Sequence, residues 1–267
     1  MSAFERSVAR DPARAEAWIR LGRARRAAAH PDSAARAFRR AVLLRPNEAS
    51  LWLELAELLT ADPEAAAQAY RRGIDFEPGR FRLWFGLAHA EAAGGRLESA
   101  SGSYRRAIEL RPGSHAAWYN LGSVYSELGR LRLAIRAYWV ALDRSPDDAE
   151  TWNNLGNTLL ELGRTREGIR CYEKALDMVP HYDVAWNNLG VALEQDGDPV
   201  GASAALARAL DANPHQTTYL VNRASALARS GRRGEAGKHL ALALRLEPDL
   251  SVLLGSLPEL GGLLSDA

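Results

Sequence analysis

Eight prolines recur along the chain at nearly constant intervals. Successive members are 34 residues apart except for one interval of 32, and they are Pro12, Pro46, Pro78, Pro112, Pro146, Pro180, Pro214 and Pro248. Internal repeats of this length indicate one supersecondary unit per repeat, stacked on its neighbours. The chain is therefore expected to be a tandem array.

A column of tryptophans runs parallel to the prolines. A leucine follows three residues later in nearly every repeat, then a small residue, and the column itself is Trp18, Trp52, Trp84, Trp118, Trp152 and Trp186, with Leu220 in the seventh place. Residues at i, i+3, i+4 and i+7 share one side of a helix. Each repeat is thus predicted to begin with an amphipathic helix.

The second half of each repeat carries another helical stripe. A small residue, a large apolar residue (usually aromatic) and a second small residue recur at i, i+4 and i+7, as in Ala134, Tyr138 and Ala141. The period proline follows this stripe, where it stops a helix. In five repeats a glycine separates the two stripes: Gly95, Gly129, Gly163, Gly197 and Gly231. Proline also stands where three of the second helices begin: Pro31, Pro63 and Pro199. The predicted unit is a helix hairpin, and the 32-residue repeat is predicted to have lost two residues in its turn near Thr60.

This pattern resembles the tetratricopeptide repeat family, whose repeats carry Trp, Leu, Gly, Tyr, Ala, Phe, Ala and Pro at these places. The resemblance covers residues 15–250 and implies an all-α, right-handed superhelical solenoid of antiparallel helix hairpins. It divides the chain into seven repeats: 15–48, 49–80, 81–114, 115–148, 149–182, 183–216 and 217–250. Residues 1–14 are predicted to form an N-terminal half-repeat cap, and residues 251–267 a C-terminal capping segment, because a solenoid must cover its end faces.

Four residues depart from the family pattern. Arg25 and Glu91 stand where tyrosine is usual, Arg223 replaces a leucine and Gly168 an alanine. These departures are expected to weaken individual repeats, mainly the first, third and last.

Asparagine occupies the sixth position of four successive repeats. Counted from the first residue of each repeat, position 6 carries Asn120, Asn154, Asn188 and Asn222. Asparagine is a mediocre helix former, so helix propensity does not explain the column. A side-chain amide both donates and accepts hydrogen bonds, and a column of amides suits the backbone of an extended peptide. The alternative is that these amides serve packing between neighbouring hairpins.

The family resemblance implies where such a column lies. In tetratricopeptide repeat proteins this face of the first helix lines a concave groove that holds peptides, and the column resembles the asparagine ladder in the repeat arm of O-linked N-acetylglucosamine transferases. The groove is expected to be apolar in the early repeats and rich in amides later. Phe85 and Tyr119 are predicted to accept an apolar side chain, with Arg82 and His89 nearby. Three further asparagines extend the amide surface: Asn153, Asn157 and Asn187.

Charged residues on the same face favour mutual pairing over ligand binding. Arg20 and Arg23 face Glu54 and Glu57 of the next repeat, so ion pairs between them are expected. The family's clamp for a C-terminal carboxylate is not expected, since Thr218 and Asn222 occupy its cationic places.

One apolar pair interrupts the largely polar columns of the predicted convex face. Trp139 and Val140 stand there, and an exposed tryptophan is a favoured interface anchor. A convex-face contact is predicted, including self-association. The alternative is that Trp139 folds over a neighbouring helix.

Nothing in the sequence indicates catalysis. The six histidines form no metal-ligand pair, there is no phosphate loop or nucleophile elbow, and the single cysteine, Cys171, is interpreted as a small packing residue. No enzyme activity, cofactor or metal site is therefore predicted, and a formal net charge of +1 does not favour nucleic acid as a partner.

No membrane partner is predicted either. No apolar run is long enough for a membrane helix, and the first residues do not form a signal peptide. A cytoplasmic location is expected, and the arginine- and alanine-rich composition suggests a bacterial source.

Two hypotheses for function follow. In the first, the chain is a scaffold or adaptor that binds an extended peptide or a partner protein in its groove. In the second, it is a structural or regulatory subunit that assembles through its convex face and ends, serving a separate enzyme such as a glycosyltransferase.

Overall fold

The computed structural model describes residues 3–250, with side chains from Glu5 onward, and within this range the chain is all α-helical with no strand. The predicted C-terminal capping segment, 251–267, lies outside the described residues. Short turns connect the helices, which are α1 (Ala3–Arg10), α2 (Ala15–Ala27), α3 (Pro31–Leu44), α4 (Ala49–Ala56), α5 (Pro63–Phe76), α6 (Phe81–Ala93), α7 (Leu97–Leu110), α8 (His115–Glu127), α9 (Leu131–Arg144), α10 (Ala149–Glu161), α11 (Thr165–Met178), α12 (Asp183–Gln195), α13 (Pro199–Ala212), α14 (Thr217–Arg229) and α15 (Arg233–Leu246).

The described helices form two compact units, and the boundary between the units falls after Arg130. Helices α1 to α8 belong to the first unit and α9 to α15 to the second. Within each unit consecutive helices pack on one another. Each unit contains three hairpins whose helices are joined by short turns: α2–α3, α4–α5 and α6–α7 in the first, and α10–α11, α12–α13 and α14–α15 in the second. The all-α fold of stacked helix hairpins predicted from the sequence is confirmed.

Six of the eight period prolines are hydrogen-bonded to the tryptophan of the helix that follows. The indole Nε1–H of Trp52 donates to the carbonyl oxygen of Pro46 at 2.7 Å. The other five tryptophans of the column make the same bond, at 2.8 to 2.9 Å, to the proline six residues earlier. The proline therefore ends one helix and also supplies the acceptor that a half-buried indole needs, which explains why the two columns keep a constant offset.

Small residues on the first helix make room for a large side chain of the second. A Cβ added to Gly156 would lie 2.6 Å from the ring of Tyr172, and one added to Gly22 would lie 2.8 Å from Phe38. Both rings are fully buried. The small-residue column is thus a consequence of close helix packing within each hairpin.

The turn inside the hairpin requires a left-handed residue. All five turn glycines adopt positive φ, from 68° at Gly129 to 89° at Gly197. In the first repeat the same place is taken by Ala29, with φ 57°. This is the one non-glycine residue with positive φ in the described range, so the first hairpin carries backbone strain that the others avoid.

Replacing Ala29 by glycine is expected to raise the free energy of unfolding by about 0.5–1 kcal/mol, because glycine adopts this conformation without a Cβ clash. Chemical denaturation monitored by circular dichroism measures the change. Ala28→Gly is the matched control: Ala28 has φ −86°, so a glycine there should give no gain. Equal effects of the two substitutions would contradict the explanation.

The shortened second repeat ends its first helix early. Helix α4 has 8 residues, whereas the first helices of the other repeats have 13. With two residues missing, a full-length α4 would leave one residue before α5, too few to reverse the chain. The helix therefore stops at Ala56, and Asp62 caps α5 by accepting from the amide of Ala65 at 3.0 Å.

Two of the departures from the family pattern are matched by ion pairs between neighbouring repeats. Glu91 is 3% exposed and binds Nη2 of Arg71 on the preceding helix at 2.7 Å, while Ser103 Oγ donates to its other oxygen at 2.7 Å. Arg25 binds Glu5 of α1 at 2.8 Å. In both pairs the partners are 20 residues apart. The earlier residue is the acid in one pair (Glu5) and the base in the other (Arg71), so these two positions face each other across the interface between repeats.

The other two departures have different consequences. Gly168 allows a close helix approach, since a Cβ there would lie 3.0 Å from the carbonyl oxygen of Gly156. Arg223 places a buried Nε without a hydrogen-bond partner, and burial lowers its pKa. The last repeat therefore carries the unfavourable polar burial that its departure from leucine leads us to expect.

Candidate functional site

The asparagines of the second unit form a network that crosses from repeat to repeat. Nδ2 of Asn188 donates to Oδ1 of Asn153 and to Oδ1 of Asn157, both at 3.0 Å. One repeat further on, Nδ2 of Asn222 donates to Oδ1 of Asn187 at 2.9 Å. Position 6 of one repeat therefore binds position 5 of the repeat before it. The packing role considered from the sequence is real for Asn188 and Asn222.

Further hydrogen bonds fix the orientation of these amides. Within one helix Asn153 donates to Asn154, and Asn187 donates to Asn188, each at 3.3 Å. The phenolic hydroxyl of Tyr172 donates to Oδ1 of Asn157 at 2.8 Å. Asn153 is buried, whereas Asn157 is exposed and the other amides are half-buried.

Some hydrogen-bonding groups of the network remain available to a ligand. Both oxygen bonds of Asn157 go to protein donors, and its Nδ2 donates to none of the described residues. Oδ1 of Asn222 likewise accepts from none of them. The face of α10, α12 and α14 thus presents a donor and an acceptor on side chains whose other ends are held in place.

Two predicted groove residues lie on α8, at the end of the first unit. Asn120 and Tyr119 are both half-buried there, and the ring of Tyr119 stacks on His115 with centroids 6.2 Å apart.

The expectation of an apolar groove in the early repeats rested on position 5, which carries Ile19, Leu53, Phe85 and Tyr119 there. It is wrong for Ile19 and Leu53, which are each 3% exposed and pack in the core between helices. A position-5 side chain here points into the interface with the next repeat, as Asn153 does in the second unit. Burial of position 5 in these three repeats therefore follows from the packing between repeats, and the fifth and sixth repeats carry amides at this position.

Ion pairs cover the corresponding face of the first unit. Arg23 binds Glu54 at 2.6 Å, and Arg82 binds Glu57 at 2.5 Å. Arg26 lies 3.5 Å from Glu54 and 3.9 Å from Glu57, so the pairs form a continuous chain. The mutual pairing expected of Arg23 and Glu54 is confirmed. The pairing expected of Arg20 with the next repeat is wrong, because Arg20 binds Glu16 one turn earlier on its own helix at 3.0 Å.

The remaining predicted residues of this face lie on α6. Phe85 is half-buried, stacks on Phe81 with centroids 5.4 Å apart and meets Tyr104 edge-on at 5.7 Å. His89 is exposed and lines a cleft of about 200 Å³ with Glu57 and Tyr70. Tyr70 also explains the missing asparagine of this repeat, because a Cβ on Gly86 would collide with its ring.

The tryptophan of the predicted convex face has an intramolecular partner. Trp139 on α9 meets Trp152 on α10 edge-on, with ring centroids 5.5 Å apart and planes at 88°. Its side chain is nevertheless 49% exposed, and Val140 beside it is half-buried. Trp139 therefore packs on the neighbouring helix and still has about half of its surface exposed to solvent.

Cys171 is buried on α11, and burial raises the pKa of its thiol to about 12, with a smaller contribution from the charge of Glu167. The thiolate is the reactive form, so alkylation by iodoacetamide at pH 8 is expected to be at least roughly a hundredfold slower in the folded chain than in urea. Mass spectrometry of timed samples measures both rates. Similar rates in the two states would contradict the assignment of Cys171 as a packing residue.

Residues 3–250 contain no cluster of histidine, cysteine or carboxylate side chains that could hold a metal ion. None of the helices described combines the length and apolarity needed to cross a membrane.

The hairpins, the Trp–Pro bonds and the bonded amide face define a helical-repeat protein. Two models described as tetratricopeptide repeat match the chain, one over residues 60–113, 85–149 and 153–216 and the other over 15–58. The chain belongs to the tetratricopeptide repeat family. No curated protein sequence matches it.

Several solved structures share the fold at low sequence identity. YrrB, described as a TPR protein with an unusual peptide-binding site, aligns with a TM-score of 0.60 and 21% identity over 71% of this chain and 98% of that chain. MamA from Desulfovibrio magneticus RS-1 aligns with a TM-score of 0.60 and 20% identity over 63% and 97%. A chain of the APC/C complex Cut9–Hcn1 aligns with a TM-score of 0.62 and 19% identity over 98% of this chain and 51% of that chain.

Proposed function

We propose that the chain is a non-catalytic scaffold that binds an extended segment of a partner protein along the amide face of α10, α12 and α14. The observation that supports this proposal best is the fixed orientation of Asn157. Two protein donors hold its Oδ1, its Nδ2 donates to none of the described residues, and the residue is exposed. A donor fixed in advance loses little side-chain entropy on binding, which favours capture of a peptide carbonyl.

Two likenesses support this proposal. The amide column resembles the asparagine ladder in the repeat arm of O-linked N-acetylglucosamine transferases, and YrrB, which shares the fold, is described as having a peptide-binding site. Recognition through backbone groups would make the face tolerant of side-chain sequence, as suits a scaffold with several clients.

Substitution of Asn157 by aspartate tests the proposal. The variant keeps an oxygen that accepts from Asn188 and Tyr172 and turns the outward donor into an acceptor. Peptides selected by panning a random phage-displayed library on the whole chain are expected to bind Asn157→Asp about tenfold more weakly. Asn213→Asp is the matched control, since Asn213 is exposed in the same unit without a side-chain hydrogen bond to the described residues.

The alternative is a structural or regulatory subunit that assembles through Trp139, which has about half of its surface exposed to solvent. In that case Trp139→Ala would abolish partner binding or reduce the mass in solution, and Asn157→Asp would leave both unchanged. That pair of results would overturn the amide-face proposal.

A further inference from the structure

An open cleft lies between α3, α4 and α5 in the first unit, whereas the amide face belongs to α10, α12 and α14 of the second. Its volume is about 540 Å³, which is within the range of sites that bind small molecules. Trp52, Leu55 and Leu59 form an apolar floor, and arginines stand around the rim. Neither proposed function uses this cleft.

The charges on the rim favour an anionic partner. Arg71 is already paired with Glu91 at 2.7 Å, and Arg72 lies 3.8 Å from Asp75. Arg39 is exposed and has no carboxylate partner among the described residues. The cleft therefore combines an aromatic floor with an unpaired guanidinium at its edge, a combination that suits an aromatic ring beside a carboxylate.

The chain itself shows what the equivalent place can hold. In the fourth repeat the counterpart of Arg39 is Trp139, and in the fifth repeat the counterpart of Trp52 is Trp152, because each pair occupies the same position of its repeat. Trp139 packs edge-on against Trp152 with centroids 5.5 Å apart. At this interface an indole supplied by the chain covers the tryptophan, whereas Trp52 lines an open cleft.

We infer that this cleft, the Arg39 cleft, is a second docking site, which takes an aromatic side chain flanked by acidic residues from a partner protein. The aromatic ring lies on Trp52 as Trp139 lies on Trp152, and the flanking carboxylates bind Arg39. The Arg39 cleft shares no residue with the amide face, so the two sites can be tested separately.

The test uses the whole chain and a fluorescein-labelled peptide with one tryptophan between glutamates. Fluorescence anisotropy is expected to show saturable binding that weakens with salt. Arg39→Trp supplies the chain's own indole to the cleft and should weaken binding at least about tenfold. Arg40→Trp is the matched control, because Arg40 is exposed, lies next in sequence and does not line the cleft. Its affinity should stay within about twofold of the parent chain.

A charge-reversal variant keeps the test decisive if Arg39→Trp folds poorly. Arg39→Glu adds no bulk to the cleft, and circular dichroism checks that the variant folds. Because the new carboxylate repels the glutamates of the peptide, the same loss of binding is expected. Peptides with glutamine for glutamate or alanine for tryptophan should each bind several-fold more weakly.

Three results would overturn the inference. They are an absence of saturable binding to the parent chain, equal binding of Arg39→Trp and Arg40→Trp, and equal binding of the alanine peptide. A mass in solution that falls from dimer to monomer in Arg39→Trp, with no peptide binding, would assign the cleft to a second copy of the chain instead.

Discussion

Asn188→Ala is expected to lower the free energy of unfolding by about 2–3 kcal/mol. The substitution removes the donor of two bonds that join neighbouring repeats, to Asn153 and Asn157. Asn157 is exposed and water can replace its lost donor, whereas Asn153 is 3% exposed and its Oδ1 would stay buried without a partner. The buried acceptor accounts for most of the expected loss. Urea denaturation followed by circular dichroism measures it.

Asn47→Ala provides the control for this prediction. Asn47 is exposed in the turn before α4 and makes no side-chain hydrogen bond to the described residues, so its loss should change stability by less than about 0.5 kcal/mol. A double-mutant cycle with Asn153→Ala should show a coupling energy of about 1 kcal/mol or more. If Asn188→Ala costs no more than Asn47→Ala, the network does not hold the repeats together.

Arg71→Met is expected to destabilise the chain by about 2–3 kcal/mol, because it leaves the buried carboxylate of Glu91 with Ser103 as its remaining partner. The loss is smaller than for a fully buried pair, since the Arg71 side chain is 46% exposed. Glu91→Leu removes the buried charge itself and should cost about 1 kcal/mol or less. Urea denaturation of the parent chain, the two single variants and the double variant gives the coupling energy between Arg71 and Glu91.

The double variant Arg71→Met with Glu91→Leu distinguishes a charge effect from a packing effect. Leu59 and Leu159 occupy the same position as Glu91 in other repeats, so the double variant should recover most of the stability lost in Arg71→Met. Arg72→Met is the control, since Arg72 is 67% exposed and lies 3.8 Å from its nearest carboxylate. Equal losses in Arg71→Met and Arg72→Met would contradict the account.

The fold was predictable from the sequence because its determinants are local and periodic. Apolar spacing within each repeat indicates the helices, and prolines and glycines indicate their ends, as at Pro63 and Gly129. The first helix of each hairpin begins at the residue where the pattern starts. The early end of α4 was not predicted, because the residue types from Glu57 to Leu59 do not stop a helix. The helix ends there because the chain needs several residues to reverse direction before α5.

Contacts between repeats were harder to predict, since they depend on which side chains face each other across two helices. The partners of Asn188 and Asn222 lie 35 residues away, at position 5 of the preceding repeat. Opposite charges 20 residues apart, as in Arg71 and Glu91, were a signal present in the sequence. The Arg39 cleft was not predicted, because it exists only where no side chain of the chain packs over Trp52.

The proposed binding site places structural and binding roles in the same side chains. Asn188 donates both of its amide hydrogens to the preceding repeat, whereas Asn157 and Asn222 each have one hydrogen-bonding group that binds none of the described residues. Replacing the whole column by alanine would therefore loosen the array and remove the ligand contacts together. Asn157→Asp separates the two effects because it leaves the internal acceptor in place.

A paired scan of one selected peptide tests whether the amide face binds the backbone of the peptide. Each residue is replaced by alanine in one series and N-methylated on its backbone in the other, and affinities for the whole chain are measured by anisotropy. We expect N-methylation at several residues to weaken binding about tenfold and most alanine replacements to change it less than about twofold. Binding that depends on a few side chains and tolerates N-methylation throughout would contradict the claim.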